Sequence, residues 1–134
     1  MNNDDPLILP EQAICDSQNL EEAGLALRFQ IRAKDVAAWK TSDLNLSEQA
    51  HPAFVLRFKG QVYAYLNRCA HVHMEMDWKP GQLFSLDKQH LICATHDAHY
   101  LPDTGVCVAG PCPRGSSLVK IGVEEREGKV YLLA

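Results

Sequence analysis

The sequence has no apolar run near the ~18–20 residues that a membrane-spanning helix requires. It also lacks an excess of basic charge: 13 Lys and Arg stand against 17 Asp and Glu, a net charge of −4. A general grip on nucleic-acid phosphates needs clustered cations, so that class of partner is excluded. The first residues, Met1-Asn2-Asn3-Asp4-Asp5-Pro6, show neither the basic stretch nor the apolar core of a secretory signal, and the cytoplasm is the expected location. There is no glycine-rich dinucleotide loop, so hydride transfer from a nicotinamide is not expected of the chain itself. Nor can a Ser-His-Asp arrangement be assembled. Helical patterning is nearly absent too, confined to a turn or two over Ala33 to Trp39.

At 134 residues the chain has the length of one domain, with room for a core that needs no disulfides to offset small size. Charge is uneven: residues 1–50 carry nine acids and four bases, and residues 51–134 carry eight acids and nine bases. This reads as a difference between faces, and 1–134 is expected to be a single domain. The five cysteines, Cys15, Cys69, Cys93, Cys107 and Cys112, are an odd number. A closed disulfide framework uses an even count, whereas cysteines in a cytosolic chain point first to metal or redox chemistry.

Most apolar patterning has period two, which is strand periodicity. A strand is expected over Leu25 to Ile31, and a hairpin over Ala53–Phe58 and Gln61–Leu66 with Lys59-Gly60 as its turn. A second hairpin is expected over Leu118–Val123 and Lys129–Leu133, joined by residues 124–128. His90-Leu91-Ile92 reads as a short strand and Leu101 to Gly105 as a turn. The class is therefore all-β and antiparallel, with its chemistry in the loops.

Two pairs of soft ligands stand just beyond expected strands: Cys69-Ala70-His71 and Cys93-Ala94-Thr95-His96. Thiolate and imidazole together suit zinc, iron or an iron–sulfur cluster. Zinc fingers usually pair Cys with Cys and His with His, whereas here each loop offers one of each. Such a division suits a two-iron centre in which one iron takes both cysteines and the other takes both histidines.

The pattern Cys69-x-His71 … Cys93-x-x-His96, followed by Gly110-Pro111-Cys112-Pro113, resembles the Rieske [2Fe–2S] family: two ligand loops and a covering proline loop. The likeness spans roughly residues 25–133. It implies an antiparallel β sandwich or barrel with a small cluster-binding subdomain at one tip. Residues 67–114 would supply the cluster-binding and proline loops, and 1–22 an N-terminal extension or edge strand. It implies one [2Fe–2S] cluster and single-electron transfer between a reductase and a terminal oxidoreductase such as an oxygenase. With thiolates from Cys69 and Cys93 only, an oxidised centre is neutral, where four thiolates would leave it at −2. Potentials are accordingly higher, about −150 to +300 mV.

Within that range, hydrogen bonds to sulfur stabilise the reduced state. High-potential members resemble His-Gly-Ser-x-Tyr after the last ligand, and this chain has His96-Asp97-Ala98-His99-Tyr100. Tyr100 keeps its hydroxyl, Ala98 has none, and Asp97 places a negative charge where glycine is usual. Met74, Ala94 and Thr95 occupy the region where the respiratory type carries an extra bridged cysteine pair. A low to middle potential follows, and Pro111 and Pro113 are expected to cover the site.

Other residues have plainer readings. His51, His73, His90 and His99 are read as hydrogen-bonded or exposed histidines, and Met74, Met76 and Trp78 as shielding for the first loop. Glu75 and Asp77 are read as solvated loop charges, Cys15 as a buried strand residue, and Cys107 and Cys112 as reduced packing thiols, a bridge being the alternative. The two-His, one-carboxylate domain of an oxygenase has no room here, so the chain is expected to be a carrier rather than an enzyme by itself. The alternatives are a small subunit of a nitrite reductase-like complex and a zinc-stabilised binding module.

Overall fold

The structure is a computed structural model that describes residues 5–9, 11–32, 35, 49–69, 75–77, 79–94, 97–113 and 115–133. The expected turn over 33–39 lies almost wholly outside them, as do His71, His73, Met74, Trp78, Thr95 and His96. Among the described residues ten strands follow in order: β1 Ala13–Asp16, β2 Leu27–Arg32, β3 Ala50–Phe58, β4 Gln61–Leu66, β5 Leu91–Ile92, β6 His99–Tyr100, β7 Cys107–Ala109, β8 Lys120–Ile121, β9 Val123–Arg126 and β10 Lys129–Leu132. A 3-10 turn spans Ser17–Asn19, and Asp35 is the other described residue in helical conformation. Among the described residues no helix is long and apolar enough to cross a membrane.

The strands form three antiparallel sheets, ordered β2-β3-β4-β8, β1-β10-β9 and β5-β6-β7. The four-stranded sheet lies at the centre because β3 is apolar on both faces: Ala53, Phe54, Val55 and Leu56 are all buried. Successive side chains of a strand point to opposite faces. Ala53 and Val55 accordingly join Phe29, Ile31, Ala64, Leu66 and Val130 in one core, facing β1-β10-β9. Phe54, Leu56 and Phe58 join Tyr65, Leu91, Tyr100, Cys69 and Cys93 in the other, facing β5-β6-β7. The site is thus built on the second face of a sheet whose first face is independently packed.

The β3–β4 hairpin matches its sequence signature, with a two-residue turn in which Lys59 and Gly60 both have positive φ, 51° and 80°. The Glu22 carboxylate accepts hydrogen bonds from both turn amides. The second hairpin differs from expectation. The strand continues through Glu124–Arg126 and turns tightly at Glu127-Gly128. Leu118 to Val123 is not one strand: β8 pairs with β4, β9 pairs with β10, and the chain changes sheets at Gly122. A Cβ there would meet Leu133 Cδ1 at 3.2 Å, so a side chain would crowd the crossing. Cys15, on the outer strand β1, is half-buried rather than buried.

Candidate metal centre

Cys69 stands three residues beyond β4 and Cys93 directly beyond β5, and both are fully buried in the same core as Tyr100 and Met76. The second loop is tight. Cys93 N–H donates to Ala98 C=O at 2.9 Å, and Asp97 N–H donates back to Cys93 C=O at 2.8 Å. Asp97 takes positive φ, 57°, to make that turn, a conformation that Asp tolerates better than most residues. Its side chain is exposed, so the glycine usual at this position is replaced without steric conflict.

The close backbone approach falls instead at Gly110. Its φ is +90°, and a Cβ would meet Asp97 C=O oxygen at 2.6 Å and Ala98 Cα at 2.8 Å. The proline loop therefore rests directly on the second ligand loop, and Pro111 and Pro113 are exposed. Cys107 and Cys112, expected as separate thiols, are joined by a disulfide across this loop. Antiparallel pairing of β7 with β6 and the turn at Gly110 bring residues five apart within bridging reach.

The Tyr100 hydroxyl lies 3.3 Å from Cys69 Sγ. Ala98, also buried, offers no hydroxyl. His99 is hydrogen-bonded, with Nδ1 3.4 Å from His90 Nδ1 and Nε2 3.3 Å from Asp97 Oδ1. Its ring thus has two neighbours that account for it. Among the described residues no group of three or more His, Cys, Asp or Glu is arranged to hold a metal ion. His71 and His96 lie outside them.

The charges of the first loop differ from expectation. Asp77 is buried rather than solvated, and with partly buried Glu75 it is held by Arg28, which also takes Asp5. Nothing in the sequence pointed to this. Arg28 alternates with Leu27 and Phe29 in a half-buried strand, where a charge normally marks the solvent face.

The described donors, two buried thiols, suit iron–sulfur coordination. Two buried cysteines lie in a common apolar core, and a buried hydroxyl reaches one sulfur. A single exposed zinc-binding loop would need neither feature.

Comparison with solved structures gives the same fold. A chain of the complex of reduced oxygenase and oxidized ferredoxin in carbazole 1,9a-dioxygenase is 21% identical with a TM-score of 0.60, and the match covers 90% of this chain and 99% of that one. The Sphingomonas yanoikuyae B1 ferredoxin is 17% identical with a TM-score of 0.61, over 90% and 94% of the two chains. In the reduced complex between oxygenase and ferredoxin in carbazole 1,9a-dioxygenase, a longer chain matches at 17% identity and a TM-score of 0.63. There, 90% of this chain covers only 27% of that one. No curated protein sequence matches. The family profile described as Rieske [2Fe-2S] domain matches residues 11–122, so the likeness begins well before residue 25. One Rieske-type [2Fe–2S] cluster is accordingly the cofactor, and the chain belongs to the Rieske [2Fe–2S] domain family.

Proposed function

We propose that this protein is a single-electron carrier, a Rieske-type ferredoxin that accepts electrons from a reductase and delivers them to a terminal oxidoreductase such as an oxygenase. The observation that carries the reading is the pairing of buried Cys69 and Cys93 in one core with the Tyr100 hydroxyl against Cys69 Sγ. In this reading Cys69 and Cys93 hold one iron and His71 and His96 the other. The whole chain is one domain, and its place of action is the cytoplasm. When bound, the cluster supplies a one-electron couple at moderate potential.

The chain's own residues do the rest. Burial of both cysteines excludes water from their sulfurs, and Tyr100 donates toward Cys69. The proline loop, seated on Asp97 and Ala98 through Gly110, covers the second ligand loop. Electrons would cross at the exposed tip formed by Pro111, Pro113 and half-exposed Val108.

The test is a single-turnover titration. The holoprotein should take up one electron per chain, from dithionite or from a reductase fraction supplied with NADH, and return it to a Rieske-type oxygenase. Cys93→Ser and His96→Ala should lose bound iron and sulfide and fail in both half-reactions. A fully loaded, redox-active Cys93→Ser protein would reject the ligand assignment. A loaded wild-type protein that reduces no oxygenase but co-purifies stoichiometrically with a larger enzyme would favour a fixed subunit over a carrier.

A further inference from the structure

The most heavily buried charge in the described residues is unrelated to the four ligands. The Asp77 side chain is 0% exposed and Arg28 is 7% exposed. Arg28 Nη1 donates to Asp77 Oδ1 at 2.8 Å, Nη2 to Glu75 Oε1 at 2.5 Å, and Nε to Asp5 Oδ2 at 2.9 Å. Asn67 Nδ2 also donates to Asp77 Oδ1, at 2.8 Å, and Gly81 N–H donates to Asp77 Oδ2 at 2.8 Å. Asp77 thus receives three donors, one of them cationic. Burial works against the Arg28 charge, yet the hydrogen bonds of Asp5 and Glu75 and the charge of Asp77 hold the guanidinium above its ordinary range. A buried ion pair is secure only while every partner is present.

The position of this network in the chain gives it meaning. Asn67 lies two residues before Cys69, and Asp77 six residues after His71. Besides bonding Asp77, Asn67 accepts the Met76 N–H on Oδ1 at 2.8 Å. These two bonds close the first ligand loop at its neck. Met76 C=O in turn accepts the N–H of Ala94, the residue after Cys93, at 2.8 Å. The neck of one loop is therefore bonded to the start of the other. Arg28 fastens both to the central sheet, where it lies opposite Phe54 on the site-facing side of β2.

We infer that Arg28 and Asp77 are positioning residues: they hold the necks of both ligand loops in register without help from the cofactor, and Arg28 offsets the carboxylate field of Asp5, Glu75 and Asp77 beside it. This rests on the ligand assignment above. A lysine could not replace Arg28, because a point charge cannot fork to three carboxylates.

The experiment compares wild type with Arg28→Gln, Arg28→Lys and Glu75→Gln. Three quantities are read: amide exchange at Met76 and Ala94 in cluster-free protein, the rate of iron release to a chelator from loaded protein, and the midpoint potential. Arg28→Gln should lose protection at both amides and release iron at least tenfold faster, and Arg28→Lys should not rescue it. The potential should fall in Arg28→Gln and rise in Glu75→Gln, since one removes a positive and the other a negative charge. General loosening would move both the same way, and that result would overturn the inference. So would wild-type amide protection and iron release in Arg28→Gln. Where Arg28→Gln does not fold, Glu75→Gln decides alone: a raised potential with the cluster retained supports the inference, and an unchanged or lowered one refutes it. Amide protection in cluster-free protein is independent of the ligands, so a failure there is distinguishable from a loaded Cys93→Ser protein, which would refute the ligand reading instead.

Discussion

Replacing Tyr100 by Phe removes one oxygen atom, and the structure says what that atom does. The hydroxyl lies 3.3 Å from Cys69 Sγ in a fully buried setting. A hydrogen bond to a charged acceptor is worth about 1.5–3 kcal/mol. A contact kept in both oxidation states moves the potential only through its strengthening on reduction. Reduction adds a negative charge and makes the sulfur a better acceptor, so the bond favours the reduced state. A difference of about 0.7 kcal/mol, half the lower bound, corresponds to about 30 mV for one electron, since about 1.4 kcal/mol equals about 59 mV. Tyr100→Phe should therefore lower the midpoint potential by about 30–60 mV, the range set by the strength of that bond. Ala98→Ser, which adds a hydroxyl on the same loop, should shift it the other way. Protein-film voltammetry on loaded protein measures both. An unchanged or raised potential in Tyr100→Phe with the cluster intact would refute the reasoning.

Three further outcomes are expected. Gly110→Ala would place a Cβ 2.6 Å from the Asp97 carbonyl oxygen, so it should cost well over the about 1–2 kcal/mol of positive φ alone and speed iron loss; Gly115→Ala, with the same φ of 90° and nothing within 4 Å, should cost only the φ penalty in a denaturant titration. Replacing Cys107 and Cys112 by Ser should lower stability by about 2 kcal/mol through loss of loop-closure constraint, and a reductant should lower the wild-type Tm but leave the double variant unchanged. The Cys15 thiol is pushed up to about 11, mainly by burial and further by Asp16. The unfolded chain then ionises first, so this contribution to stability is full below pH 9 and is lost as pH rises toward 11, a slope that Cys15→Ser should flatten.

Local signals carried much of the fold. The Lys59-Gly60 turn, the alternation of β2 and the doubly apolar β3 each announce their conformation within a few residues. Cys69 and Cys93 stand out in the sequence because their types and spacing have few other uses, and Tyr100 stands out only through its place in the His-x-x-x-Tyr run that the family resemblance supplies. The rest depends on contacts distant in sequence. Arg28 and Asp77 are 49 residues apart, and each resembles a surface charge in its own segment. Gly122 reads as part of one strand until two sheets compete for its neighbours. The Cys107–Cys112 bridge depends on how the proline loop doubles back through Gly110, and composition alone argued for separate thiols.

The central claim is that this chain holds one mixed-ligand [2Fe–2S] cluster through Cys69, Cys93, His71 and His96. Its most direct test is an iron and acid-labile sulfide determination on protein purified without oxygen, with an electron paramagnetic resonance spectrum after dithionite reduction. The account predicts two irons and two sulfides per chain and a Rieske-type signal that disappears in His96→Ala. One zinc with no sulfide, or no metal after reconstitution, would contradict it and leave a β domain that uses this fold for binding.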